Sequence, residues 1–451
     1  MLYIYTISLI LFTFIISKIQ VKMNKGNIGI LLIIFSLFIV LYKTDNILIN
    51  YLDYSSWKNV IAIFMVIIVC IINNLYRESD LEEWILITIV LLGGFTIITC
   101  DHLLILYLGL ELQTFSLFIL ISRNKLWIKG SEAGLKYFIL GALSSGIFLL
   151  GLALIFSEGY SLSLHNLLTH YWYEGQKLKL SLVLIILSLF FKVSLFPLHF
   201  WIPDVYEGSS WKTLGVVGTI PKISTIYILI QLKEVPDLLL MCSLLSIIVG
   251  TLGALNQTKL KRLLAYSGVS HMGFIVLVLS ISSQGFYSVN NIYVIIYMVS
   301  LLSVIILTTY TIFTVDSYLV ELSNNKLLSS IIGLSWIIMF LSIAGIPPFS
   351  GFIPKWLVLW SILEEGYVVS SLVCIIFSAI AAGYYLRLVK ITYFQKDSNS
   401  VIWKSVLESA KGGFYNTNFL IVGFFIYITI CLIIKPSPLL LLLEKNFSSI
   451  S

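Results

Sequence analysis

Apolar stretches of roughly 18–25 residues recur from one end of this 451-residue chain to the other, and that repetition limits the fold more than any single motif. A hydrocarbon layer about 30 Å thick takes about 20 helical residues to cross. Backbone in lipid must satisfy its own hydrogen bonds, so only helices and closed barrels span it. Runs of this length are helices, because a spanning strand needs only about 10 residues. Composition agrees: 59% of residues are hydrophobic, 11% are charged, and mean hydropathy is +1.00. The sequence therefore predicts an all-α polytopic membrane protein, with no stretch long enough for a separate soluble domain.

Fourteen spans are predicted, near 3–20, 27–43, 58–76, 81–99, 102–122, 132–156, 179–208, 213–232, 237–255, 260–282, 288–314, 329–363, 368–394 and 416–434. Lysine and arginine collect in cytoplasm-like loops. If Lys18, Lys22 and Lys25 lie inside, alternate loops add Arg77, then Arg123, Lys125 and Lys129, then Lys212. The same side continues with Lys259, Lys261 and Arg262, then Lys326, then Arg387, Lys390, Lys396, Lys404 and Lys411, which makes seventeen of the 28 basic residues. The opposite side has seven: Lys43, Lys58, Lys177, Lys179, Lys233, Lys435 and Lys445. The bias places both termini outside and explains the net charge of +6 without nucleic acid.

Several chemistries are excluded. Cys70, Cys100, Cys242, Cys374 and Cys431 stand singly, with no CxxC or Cys/His cluster for iron–sulfur, zinc or haem c. No GxGxxG, P-loop or HExxH occurs in suitable context. The N-terminus lacks the basic start of a signal peptide and the Arg/Ser-rich character of a transit peptide. It reads as a first span, and in an organellar protein that pattern fits synthesis inside the organelle. The acidic run from Arg77 to Trp84 reads as a solvated loop.

Two spans are interrupted. Pro197 and Pro203 sit in one, and Pro348 and Pro354 in another 151 residues on. PLHFWIPD and PFSGFIPK share Pro at the first and seventh places, an aromatic and Ile before the second Pro, and a terminal charge. Five spans separate them, so equivalent segments face opposite ways, as in inverted repeats with a discontinuous helix in each half. Proline gives up a backbone donor that lipid cannot replace, and a charge at mid-membrane costs about 3 kcal/mol or more. Five charges nevertheless fall inside spans: Glu111, Lys136, Lys192, Lys222 and Lys355.

Glu111 lies near the middle of the fifth span and is a candidate switchable partner for a lysine on a neighbouring helix; a structural ion pair is the plain alternative. Lys192 precedes Pro197 by five residues, about 7.5 Å of helix. Burial disfavours its charge and a nearby carboxylate favours it, so it can change protonation when the partner moves; snorkelling is the alternative. Lys222 follows Pro221 with no acid within a helical turn of sequence, as suits a relay, or a lysine near a helix end. Lys355 follows Pro354 and precedes Trp356, which also fits an interfacial anchor. Lys136 follows Glu132 by four, the spacing of an ordinary stabilising pair. His199 and His271 could carry protons or order water on a lysine path, although lone histidines are also common core residues.

At this point the motifs LYLGLELQTFSLFIL, EAGLKYFILGALSSG, KVSLFPLHFWIPDVYEGS, PKIS, QTKLKRLLAYSGVSHMGF, AGIPPFSGFIPKW and YYLRLVKITYF matter together. In this order they resemble the antiporter-like proton-pumping subunits of respiratory complex I, and the N-type branch most closely, over roughly residues 80–395. The resemblance implies fourteen helices with the seventh and twelfth discontinuous. It implies a three-helix segment over 1–79, one inverted repeat over 80–235, a second over 236–395, and a C-terminal loop and helix over 396–451. Glu111 and Lys192 become the coupling pair, Lys222 the central relay and Lys355 the distal lysine, while His199 and His271 match histidines of some relatives. No cofactor is implied in this chain; NADH, FMN, iron–sulfur clusters and ubiquinone are expected in other subunits. Expected partners are other membrane-arm subunits, including neighbouring antiporter-like ones, and membrane lipids such as cardiolipin. The implied location is the mitochondrial inner membrane, organelle-encoded, with termini on the intermembrane-space side. A Mrp-type cation/proton antiporter subunit and a purely structural membrane subunit are the rival readings.

Overall fold

The computed structural model describes residues 56–75, 81–123, 127–164, 167, 176–232, 235–281, 287–309, 317–324 and 330–394, with scattered positions between 423 and 431. Among these residues the chain is helical, apart from two isolated β-bridges. In order the helices are α1 (Ser56–Leu75), α2 (Leu81–Thr99), α3 (Leu103–Ser122), α4 (Ile128–Ser157), α5 (Gln176–Val193), α6 (Trp201–Gly208) and α7 (Trp211–Gln231). There follow α8 (Pro236–Leu255), α9 (Leu260–Leu279), α10 (Tyr287–Thr308), α11 (Ser330–Ala344), α12 (Phe352–Glu364) and α13 (Val368–Val389). A π-turn, Lys390–Phe394, extends α13.

Eight of the described helices are long and apolar enough to cross a membrane, and α1 and α11 hold shorter apolar segments. Each predicted span from the third to the thirteenth coincides with helix. The first two, 3–20 and 27–43, and most of the last, 416–434, lie outside the described residues. Both predicted interruptions are present: non-helical backbone separates α5 from α6 over 194–200, and α11 from α12 over 345–351. Each interruption opens on a left-handed residue, Ser194 (φ 68°) and Gly345 (φ 76°).

The described chain forms two compact units, one from 1–192 with 208–234 and the other from 193–207 with 235–451. In the first, α7 is the central helix: every residue from Lys212 to Ile230 is buried, and it packs on α1, α2 and α3. By contrast α4 turns Leu135, Ile139, Leu143, Leu150 and Phe156 outward, the all-apolar face that lipid favours. Small residues bring helices close. A Cβ on Gly93 of α2 would lie 2.9 Å from the Gly109 carbonyl of α3. In the second unit, a Cβ on Gly250 of α8 would lie 2.6 Å from the Ser270 nitrogen of α9.

Loops assigned to one membrane face by charge meet in the structure. Glu83 at the start of α2 pairs with Arg123 after α3 and with Lys212 at the start of α7, the latter at 3.0 Å. The Arg77–Trp84 run is thus not simply a solvated loop: its C-terminal half begins α2 and Glu83 ties three segments together. In the second unit Lys259 pairs with Glu207 at 2.7 Å, and Arg262 with Asp204 at 2.7 Å. On the other face, Leu103 N–H donates to Leu162 and Leu164 N–H to Asp101, at 3.0 and 2.8 Å.

Candidate functional site

Three helices of the first unit line a small, partly open cleft. From α3 it takes Tyr107, Leu110, Glu111 and Thr114, from α4 Gly141, Ser144, Ser145 and Phe148, and from α5 Ser188 and Lys192. Helical spacing explains the set. Residues three and four apart share a face, so 107, 111 and 114 line up on α3, 141, 144, 145 and 148 on α4, and 188 and 192 on α5.

Lys192 is 4% exposed and donates from Nζ to the Leu110 carbonyl at 3.3 Å. Its ammonium also lies 5.9 Å from the ring centroids of Tyr137 and Phe191, within the range of cation–π attraction. Glu111, partly buried, accepts from the Thr114 hydroxyl at 3.1 Å through Oε2. The serine hydroxyls donate to carbonyls one turn back, Ser144 to Gly141 at 2.7 Å and Ser145 to Ala142 at 3.0 Å. Their lone pairs remain available to the cleft. An ammonium and a carboxylate therefore line the same cleft, with the hydroxyls of Tyr107, Thr114, Ser144, Ser145 and Ser188 set among apolar side chains.

Lys222 is fully buried on α7. Pro221 before it cannot donate one turn back, which loosens the backbone hydrogen bonding of α7 where the lysine sits. Two hydroxyls turn to the same region: Thr225 donates to the Pro221 carbonyl at 2.6 Å, and Ser224 lies 3.1 Å from it. Gln113 of α3 reaches Ser224 Oγ at 3.3 Å. Helix α3 thus shows Glu111 to the cleft and, two residues on, Gln113 to α7.

The second unit holds the remaining candidates. Lys355, 7% exposed, donates to the Ala344 carbonyl at 2.6 Å, the last residue of α11. Its ammonium lies 6.0 Å from the ring centroid of Phe274 on α9. His271, also on α9, is 3.0 Å from the Tyr293 hydroxyl and its ring is 5.0 Å from that of Tyr297. His199 is buried in the first interruption, its ring 4.4 Å from that of Phe200. Lys136 is exposed on α4, away from these buried groups in character.

A family profile described as "NADH:quinone oxidoreductase/Mrp antiporter, TM" matches residues 100–381, more than half of the chain and a span that includes every candidate above. The chain belongs to the NADH:quinone oxidoreductase/Mrp antiporter family. Among similar members, NADH-ubiquinone oxidoreductase chain 2 of Metridium senile is 36% identical over 364 residues, covering 79% of this chain and 94% of that one. NADH-quinone oxidoreductase subunit N of Pelagibacter ubique is 32% identical over 418 residues, 87% of this chain and 85% of its own. In fold the chain is similar to a chain of respiratory complex I from Thermus thermophilus with bound aureothin, with TM-score 0.83 at 24% identity over 98% of both chains. A chain of the Mrp complex from Dietzia sp. is similar at TM-score 0.67 and 15% identity, over 86% of this chain and 76% of that one.

For a family member, the sequence pointed to the charged residues and passed over their neutral neighbours. Tyr107, Thr114 and Ser188 stand at helical spacing from Glu111 and Lys192, a signal that was present. Ser144 and Ser145 on α4 carried none, since only packing brings that helix to the cleft.

Proposed function

We propose that this chain is the antiporter-like, proton-translocating membrane-arm subunit of a respiratory NADH:quinone oxidoreductase, working through Glu111, Lys192, Lys222 and Lys355. Family membership supports the assembly. The relay rests on one observation above others: Glu111 and Lys192 line a single cleft between α3, α4 and α5. A carboxylate close to an ammonium favours the charged lysine, and its withdrawal releases the proton. Electron transfer, with NADH, FMN, iron–sulfur clusters and ubiquinone, belongs to partner subunits. It reaches this chain as a lateral displacement of charge that moves Glu111 relative to Lys192. The proton passes on to Lys222, then to Lys355 and the outer face, through side chains and water. His199 and His271 order water along the way.

The inverted-repeat reading draws support from the interruptions. They start, end and turn left-handed at positions 151 residues apart: 194 and 345, 200 and 351. The glycine-mediated pairs α2–α3 and α8–α9 occupy corresponding places. Neighbouring membrane-arm subunits and cardiolipin-like lipids cover the outward apolar faces; the relative named chain 2 favours a mitochondrial inner membrane, and the clustering of lysine and arginine favours termini on the intermembrane-space side.

The test is Lys222→Ala in the assembled complex in sealed vesicles. Proton pumping driven by NADH oxidation is expected to fall about tenfold or more; full pumping would sink the relay. Purification of the native chain without iron–sulfur subunits would instead favour the Mrp-type reading.

A further inference from the structure

Two adjacent asparagines in the second unit are used by nothing so far described. Asn290 and Asn291, near the start of α10, are both 0% exposed. Among the described residues, neither side chain has a hydrogen-bond partner for its Oδ1 or its Nδ2. Buried polar atoms in folded proteins are almost always satisfied by protein or ordered water. Four such atoms at one end of α10 call for ordered water, since an amide offers both donors and an acceptor.

The position of the pair gives that water a use. Asn290, Tyr293 and Tyr297 stand three and four residues apart and so share one face of α10. On that face the Tyr293 hydroxyl is 3.0 Å from Nδ1 of His271, and the Tyr293 ring stacks on Phe274 at 6.2 Å. Phe274 is the ring beneath the Lys355 ammonium, at 6.0 Å. Lys355, His271, Tyr293 and Asn290 thus lie on three mutually packed helices, α12, α9 and α10, and the asparagines occupy the end nearest the helix start at Tyr287. By the charge-based topology this end faces outward.

We propose that Asn290 and Asn291 are positioning residues that hold a short buried water chain, connecting the His271–Tyr293 pair to the outer end of α10 as the exit limb for protons leaving Lys355. The amides gain and lose no proton. Each water passes one proton forward and receives one from behind, so the chain returns to its starting composition after a reversal of its hydrogen bonds. This inference rests on the proton-translocating function proposed above.

The experiment compares Asn290→Leu/Asn291→Leu with Asn290→Ser/Asn291→Ser and Lys222→Ala, all in the assembled complex in vesicles. Leucine matches the asparagine in size and excludes water, whereas serine can still bind it. Pumping per NADH oxidised should fall at least about fivefold in the leucine pair. The serine pair should stay within about twofold of the unchanged chain, with a larger solvent deuterium isotope effect. Full pumping in the leucine pair, with Lys222→Ala inactive, overturns the exit limb and leaves the relay intact. Full pumping in Lys222→Ala overturns the relay itself. If the leucine pair does not assemble, a high-resolution density map of the unmutated complex decides. Ordered water within about 3.2 Å of both amides is expected, and a dry pair overturns the proposal.

Discussion

The two interrupted helices use one backbone device for two arrangements of charge. Both breaks last seven residues and begin with a left-handed residue, but the lysine precedes the first break and follows the second. Lys192 reaches across to the carbonyl of Leu110 on another helix, one residue from Glu111. Lys355 instead folds back on the carbonyl of Ala344, at the broken end of its own span. Both ammonium groups rest on backbone oxygen, but only Lys192 shares a cleft with a carboxylate. A broken helix thus supplies polar backbone at membrane depth, and the surrounding side chains set what company each lysine keeps.

Substitutions can break or sharpen this contrast. The largest effect is expected from Lys192→Arg, which keeps the positive charge but cannot release a proton. Pumping by the assembled complex should fall about tenfold or more, and near-normal pumping would mean Lys192 only attracts Glu111. Next comes Gly345→Ala. The new Cβ would sit 2.7 Å from Lys355 Cδ and on a residue at φ 76°, so the complex should lose roughly 1–3 kcal/mol of stability, read as a lower melting temperature, with reduced pumping. An unchanged protein would show that the second break is not tight around its lysine. Thr114→Val removes the hydroxyl donated to Glu111 and should slow pumping by roughly two- to fivefold with normal assembly. Leu143→Val, at an outward-facing apolar position of α4, should do nothing measurable. The smallest effect is that of Ser194→Gly, which relieves a left-handed non-glycine residue and should raise stability by about 1 kcal/mol. A loss of stability would show that the Ser194 side chain, which donates to the Val193 carbonyl, contributes more than its backbone strain costs.

Much of the fold was legible because lipid leaves the chain few choices. Span length, the two proline-marked breaks and the clustering of lysine and arginine follow from local composition. The described helices, the breaks at 194–200 and 345–351, and the meeting of Glu83, Arg123 and Lys212 agree with that reading. Less legible was the company each charge keeps. The Arg77–Trp84 run reads as a solvated loop, although the predicted span near 81–99 already takes in its last four residues; α2 starts at Leu81, where Glu82 and Glu83 suit a helix N-terminus, and the sequence does not show that Glu83 pairs with Arg123 and Lys212. Lys136 lies within the membrane-length helix α4, as expected, and only the structure shows that it is exposed there.

By itself, then, the sequence determined that the chain crosses a membrane many times, where its helices break, and which ionisable residues fall inside its spans. These are properties of single segments meeting lipid, and composition and spacing suffice to state them. Tertiary structure decided the rest: that α4 brings two serines to Glu111 and Lys192, that Lys355 turns back to Ala344, that His271 meets Tyr293, and that Asn290 and Asn291 are buried near the start of α10. Neutral residues carry no signature of cost in the sequence. Their role appears only when packing removes their access to water and shows which polar atoms remain to be satisfied.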